Sequence, residues 1–381
     1  MPPGTDPAAL RVITTAVLVG LVASGVALAS GLGLLTGGAA APRPLAGPAP
    51  ASGPAQAAGL RLLREAAQAC RSLPYQGVEV AWWGPASQAG GDTSVVQVWH
   101  QPGGQALAQD PRAQVLTQPP AARGQRRQPV SPLGSGGPNP DEAGVLGMSA
   151  RLVSLLATNY VVAVAGRGQV AGRPANIVTV RRPGGGVAAW FWLDSATSLP
   201  LRKEMFDARA HLISSVTFAE VNIGRSAVSG EPVPTARAWH TTLAPRQLAR
   251  LRASGWPLPG PLPADLTLIS AKESATPLGP VVDLDYSDGL SVVSIFVQRG
   301  YLPARLRGWS QVALAGHQVY ANDPDDLCFA WAARGFVYTL IAAAPQQTVG
   351  QVVVALPHDD DPGWLAQLKH GLHRMLSWVR P

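Results

Sequence analysis

The stretch Val281-Val282-Asp283-Leu284-Asp285-Tyr286-Ser287-Asp288-Gly289-Leu290-Ser291-Val292-Val293-Ser294-Ile295-Phe296-Val297 reads as a β-hairpin. Asp288-Gly289 is the turn signal, because glycine takes up left-handed backbone without a Cβ clash. The flanks are filled with valine, leucine, isoleucine, tyrosine and phenylalanine, residues that suit a pleated, half-buried surface. Strands are therefore predicted over 281–286 and 292–298, and their antiparallel pairing sets the texture to look for elsewhere.

Toward the C-terminus the same texture predicts strands at 312–320, 327–331 and 336–342, followed by a helix over 346–356. Toward the N-terminus a strand at 266–271 follows a helix over 243–254, which Gly255 and Pro257 end. These elements make a smaller α+β unit over 241–357. Beyond it, residues 358–381 read as a basic amphipathic helix with Asp361 as its N-cap and Pro362 at its first position. Trp364, Leu365, Leu368, Leu372, Leu376 and Val379 form its apolar face, against Lys369, His370, His373, Arg374 and Arg380. Such a helix suits an anionic membrane surface or a cover over the second unit.

Residues 225–240 lack periodicity and read as a linker. Before them, 60–224 forms a first unit: a short amphipathic helix ending at Pro74, then strands at 77–83, 94–100, 159–165, 176–181, 187–193, 201–206 and 212–221. Gly and Asp turns separate the strands, so a meandering antiparallel sheet is the simplest assembly. A helical pattern at 149–157 interrupts them. The segment 101–144, rich in Pro, Gly, Gln and Ala, cannot bury enough apolar surface to offset its ordering entropy and is predicted as a mobile loop.

The chain opens with a membrane-directed segment. Val12 to Leu35 is 24 residues without a charge, enough to cross a hydrocarbon core of about 30 Å as a helix. Residues 1–41 are an anchor or, if one of the small-residue sites is cut, a cleaved signal; 42–59 is a Pro/Ala/Gly spacer. Either reading puts the folded part outside the cytoplasm, at the extracytoplasmic face of the membrane or exported. In that compartment the two cysteines, Cys70 and Cys328, are expected to form a disulfide, with two buried thiols as the alternative.

Composition narrows the function. The chain has 381 residues, 46% of them hydrophobic and 14% charged, with a formal net charge of +7. The Lys and Arg residues are dispersed, so a nucleic-acid partner is not indicated. Serine-hydrolase, zinc-protease, Walker and dinucleotide motifs are all missing from the sequence. Neither His370 with His373 nor Asp323, Asp325 and Asp326 has metal-ligand spacing, and no cofactor is expected. A non-enzymatic protein is the expectation.

Tryptophan is what stands out. Trp82, Trp83, Trp99, Trp190 and Trp192 all fall in predicted strands of the first unit. Alternation sends Trp82 and Trp83 to opposite faces and keeps Trp190 and Trp192 together. They are either core beneath a helix or an apolar surface for a ligand or partner.

The hairpin run Tyr286-Ser287-Asp288-Gly289-Leu290-Ser291 resembles the strand-turn-strand of the second domain in MucB/RseB-type proteins. Tyr75-Gln76-Gly77, Leu199-Pro200-Leu201-Arg202-Lys203-Glu204 with Phe206-Asp207, and Gly335-Phe336-Val337-Tyr338-Thr339 are similar to the family as well; Trp82-Trp83-Gly84 looks like its actinobacterial members. The resemblance spans roughly residues 60–358. It implies an α+β chain: a curved antiparallel half-barrel with covering helices, LolA/LolB-like, around an apolar cavity, followed by a smaller α+β domain. It also implies a regulator of an extracytoplasmic-stress sigma factor that binds the exported part of an anti-sigma factor, shields it from proteolysis and responds to a lipidic signal. A lipid or lipoprotein carrier using the same cavity is the alternative.

Overall fold

The structure is a computed structural model that describes residues 53–84, 92–102, 107–109, 146–224, 241–276, 279–302, 306, 309–321 and 328–359. The membrane-directed segment, most of the spacer, the linker and the C-terminal amphipathic segment lie outside them, as does most of the 101–144 segment. Among the described residues no helix is long and apolar enough to cross a membrane.

The first unit is built on one eight-stranded sheet. Its helices are α1 (Gly53–Ser72) and α2 (Ala150–Asn159). Its strands are β1 (Tyr75–Trp83), β2 (Asp92–His100), β3 (Leu107–Gln109), β4 (Val161–Val170), β5 (Arg173–Arg181), β6 (Val187–Asp194), β7 (Pro200–Phe206) and β8 (Leu212–Ile223). The order is β3-β2-β1-β8-β7-β6-β5-β4, every described pairing is antiparallel, and the sheet is open. It curls strongly, since backbone of β4 comes within 8 Å of β8, four strands away in the order. Bulges in the pairing of β1 with β8 and of β4 with β5 supply part of that bend.

Both helices lie in the hollow of the curl. α1 buries Leu60, Leu63, Ala66, Ala67 and Cys70, with Gly59 against Val162 of β4. On the same face the sheet contributes Val178, Val180, Ala189, Phe191, Leu201, Met205 and Val216. Each large apolar side chain removed from water there is worth about 1.5–3 kcal/mol. Packing on this face, not helix propensity, is what holds α1 and α2 in place.

The second unit repeats the plan on a smaller scale. Its elements are β9 (Thr241–Thr242), α3 (Pro245–Ala253), β10 (Thr267–Thr276), β11 (Gly279–Ser287), β12 (Val292–Arg299), β13 (Ser310–Leu314), β14 (His317–Ala321), β15 (Cys328–Ala333), β16 (Phe336–Ala343) and α4 (Gln346–Ala355). The sheet order is β13-β14-β15-β16-β12-β11-β10-β9, again antiparallel. One face packs Leu284, Tyr286, Ile295, Tyr338, Leu340 and Trp331 against Val349, Val352 and Val353 of α4. The other carries a buried ion pair, with Lys272 Nζ 3.0 Å from Asp285 Oδ2, and the Ser294 hydroxyl donates to Asp285 Oδ1 at 2.6 Å.

Four expectations are corrected. The two cysteines are not bridged: Cys70 is buried in α1 within the first core, and Cys328 is buried at the start of β15, on the sheet face away from the second core. α1 starts at Gly53, inside the predicted 42–59 spacer, because Pro54 is tolerated in a first turn and the alanines after it are strong helix formers. Leu107–Gln109, within the predicted loop, pairs with β2 as an edge strand. The single strand predicted over 312–320 is a hairpin, β13 and β14, turned by Ala315 and Gly316, both with positive φ.

Candidate functional site

The hairpin of β11 and β12 joins the two units. Its turn is held by its own side chains: Asp288 Oδ1 accepts from the Leu290 and Ser291 amides at 2.8 and 2.6 Å, and the Ser287 hydroxyl donates to the Ser291 carbonyl at 2.6 Å. Gly289 has φ +99°, and a Cβ built there would sit 2.3 Å from the Leu156 amide nitrogen of α2. No residue with a side chain fits at this position. Leu290 is 4% exposed and belongs to the core of the first unit.

Residues of the first unit close around the turn. Tyr160 donates its hydroxyl to Asp288 Oδ2 at 2.7 Å, and Asn159 Nδ2 donates to the Asp288 carbonyl at 2.9 Å. Lys203 Nζ donates to the Leu290 carbonyl at 3.1 Å. Arg151 of α2 spans the gap a little further along, its two terminal nitrogens donating to the carbonyls of Ile269 and Leu268 at 2.6 Å each. Loss of water pushes the Lys203 ammonium down to about 8, which nearby Asp288 partly offsets. Burial, with the Asp288 carboxylate adding to it, pushes the Tyr160 hydroxyl well up, so it stays a donor. The turn is a plug seated in a socket made by α2, Tyr160 and β7.

Register places the tryptophans. Trp83 faces the hollow and packs against the core. Trp190 and Trp192 share the opposite face, and the pairings Trp190↔Glu204↔Ser215↔Trp82 run straight across β6, β7, β8 and β1 to put Trp82 on that face three strands away. Trp99, paired with Gln76, is on that face as well. The five predicted site tryptophans therefore divide four to one, and both described helices of the unit lie on the side with the one.

The four do not form a uniform surface. Trp192 is 5% exposed: Trp190 lies against it with ring centroids 5.8 Å apart, and the Arg202 guanidinium covers it at 4.8 Å. Gly168 of β4 leaves room for the Trp192 indole, which a Cβ would meet at 3.4 Å. Arg202 also pairs with Glu204 of the same strand. Trp82, Trp99 and Trp190 stay half-buried, with Val78, Val80 and Val95 between them equally half-covered. Arg202 and Glu204 of β7, with Ser215 and Thr217 of β8, stand between the Trp190–Trp192 pair and the patch of Trp82, Trp99, Val80 and Val95. This face thus offers two apolar patches flanking a polar strip, which can hold a polypeptide or acyl chain by contact area, without chemistry.

The remaining polar groups are structural in kind. Burial pushes the Cys70 thiol up to about 12, so it is no nucleophile. His100 Nδ1 lies 2.7 Å from the Leu73 carbonyl and donates to it, and burial lowers its pKa. Burial pushes the Asp194 carboxyl up, but hydrogen bonds from Arg173 and Thr197 outweigh it and hold it below its ordinary range. No cluster of three His, Cys, Asp or Glu that could hold a metal occurs among the described residues.

Sequence reasoning found the plug and the tryptophans but missed the socket. Lys203 stands in a run singled out above without any role given to it, and Arg151, Asn159 and Tyr160 carry no local signal of an interface.

Residues 58–238 match the sequence profile of the MucB/RseB N-terminal domain. No curated protein matches the sequence. Among solved structures, MucB in complex with periplasmic MucA is 20% identical, with 79% of this chain and 99% of that one covered and a TM-score of 0.40. The MucA/MucB complex of Pseudomonas aeruginosa is 21% identical, with 79% and 98% covered and a TM-score of 0.39. A lipoprotein-sorting protein domain from Vibrio parahaemolyticus is 11% identical, with 48% and 97% covered and a TM-score of 0.23. Residues 58–238, a curled antiparallel sheet with helices in its hollow, thus carry a MucB/RseB N-terminal domain.

Proposed function

We propose that this protein is a non-enzymatic regulator at the extracytoplasmic face of the membrane. It binds the exported part of an anti-sigma factor and thereby governs that factor's proteolysis. The observation that carries the reading is the set of half-buried indoles Trp82, Trp99 and Trp190 on the face turned away from α1 and α2, in a domain of the MucB/RseB family. The opposite face holds α1, α2 and Leu290, so among the described residues of the first unit these indoles stand on the side free for a partner chain. A lipidic signal would act by competing for these indoles, since an acyl chain and an extended peptide both bind there through contact area.

The full chain, recovered gently from its own membranes, is expected to bring an anti-sigma factor with it. The double variant Trp82→Ala/Trp190→Ala, folded as judged by circular dichroism, is expected to bring down at least about ten-fold less, as loss of aromatic anchors does at interfaces. If the wild-type chain recovers no anti-sigma factor and its deletion leaves sigma-factor output unchanged, the reading fails. If a factor is recovered equally by wild type and variant, the partner stands and the tryptophan face is not its seat.

A further inference from the structure

α4 covers the second sheet with Val349, Val352 and Val353, and its other side, with Val354 and Ala355, is exposed among the described residues. That side forms one wall of a groove of about 810 Å³; the β13–β14 turn (Leu314, Ala315) and Pro263 form the rest. Gly350, Val354 and Ala355 line the helix wall, with glutamines 346, 347 and 351 along it. Val354 is 54% exposed, one of three large hydrophobic residues so exposed among the described residues. None of the described residues that line the groove is charged.

The chain leaves the described fold beside this groove. After α4, Trp331 Nε1 donates to the Pro357 carbonyl at 2.9 Å, and the His358 ring stacks on Trp331 and on His317, with centroids 5.1 and 3.8 Å away. His317 follows the β13–β14 turn directly, and Asp359 Oδ1 accepts from the Arg334 amide at 2.8 Å. Asp359, the last described residue, thus lies at the end of the sheet that carries the groove's hairpin wall. The next residues are Asp360-Asp361-Pro362-Gly363, and then the apolar series Trp364, Leu365, Leu368 and Leu372 begins, with Lys369, His370, His373 and Arg374 off it. At 1.5 Å per residue, Trp364 to Leu372 as a helix spans about 12 Å, which matches the run of α4 from Gln346 to Ala355 at about 14 Å.

We propose that residues 364–372 of this same chain occupy the groove, their apolar series against Val354, Ala355 and Leu314 and their basic residues outward. Three observations support this occupant: the tether is only a few residues long, which makes the local concentration of the segment high; the described lining of the groove is uncharged while the segment's charges stand off one side; and the exposed Val354 would be buried by it. The segment is thereby a cover for the second unit, not a membrane-surface helix.

Hydrogen exchange on the full chain tests this. In Leu368→Asp/Leu372→Asp, which lies outside the described fold, the amides of α4 and of the β13–β14 turn are expected to exchange about ten-fold faster or more, while those of β5–β7 keep their rates. Val354→Asp on the groove side is expected to do the same at the β13–β14 turn and to speed exchange in 364–372. Unchanged α4 protection in the first variant overturns the proposal. So does wild-type chain whose 364–372 amides become protected only on adding anionic phosphatidylglycerol vesicles, or only on adding the protein partner.

Discussion

The two regions picked out by sequence, the 286–291 turn and the tryptophan face, have opposite fates. The turn carries the sharper motif and is spent inside the molecule, with Ser287, Asp288, Leu290 and Ser291 all buried and its hydrogen bonds satisfied by its own residues and by the first unit. The face has no motif beyond repeated tryptophan, and three of its four indoles stay half-buried. A motif is sharpest where backbone geometry and close approach leave one residue type at each position. A binding surface constrains only area and shape, so many sequences serve and little pattern results.

The contrast can be broken most severely at Gly289. Gly289→Ala places a Cβ against the α2 backbone and in an unfavourable φ region, and is expected to cost about 2–4 kcal/mol, read as a lower denaturation midpoint with the two units melting separately. A single transition at the wild-type midpoint would show that the plug does not couple the units. Next, Tyr160→Phe removes the donor to Asp288 Oδ2 and should cost about 1–3 kcal/mol by the same measurement, because a buried carboxylate loses one of its partners. Neither substitution touches the tryptophan face, so partner recovery by protein that remains folded should be unaffected.

Trp190→Ala sharpens the comparison from the other side. Trp190 is half-buried, so its loss is expected to cost less stability than Gly289→Ala while cutting partner recovery at least about ten-fold. A variant that unfolds and yet binds normally before it does so would reverse the assignment of roles.

Smaller effects follow from titration. The Lys203 ammonium is held near 8 in the folded chain against an ordinary 10.5, so the folded state favours the neutral amine. Its unfavourable contribution is fully present below pH 8 and is relieved as pH rises toward 10, where Tyr160 would begin to ionise in the unfolded chain. Stability should therefore rise over that window, and Lys203→Met should flatten the slope. Smallest in energy, both thiols should be alkylated after unfolding without reductant, and Cys70 should resist alkylation in the native chain. One unreactive pair after unfolding would restore a bridge.

Much of the fold was legible in advance. Alternation and turn chemistry in 176–193 and 281–297 predicted strands that are present, and they also put Trp190 and Trp192 together and Trp82 opposite Trp83. Where reading failed, the cause was local ambiguity: Ala315-Gly316 is a weak turn signal in an apolar run, and an Ala-rich spacer and an Ala-rich helix share one composition. The socket was not legible at all. Arg151, Tyr160 and Lys203 lie more than 80 residues from the groups they bind, and nothing near them differs from an ordinary solvated side chain.

What the sequence determined alone was the period of its apolar residues, and with it two antiparallel sheets, their turns and the division into two units, since alternation and φ preference act within a few residues. Tertiary structure alone decided that the 287–291 turn is a plug, that Cys70 and Cys328 are buried apart as free thiols, and that four tryptophans share one face. Those outcomes depend on strand order, register and the curl of a sheet. These are set by contacts between residues far apart in the chain, where free energy depends on which surfaces meet and not on which residues are adjacent.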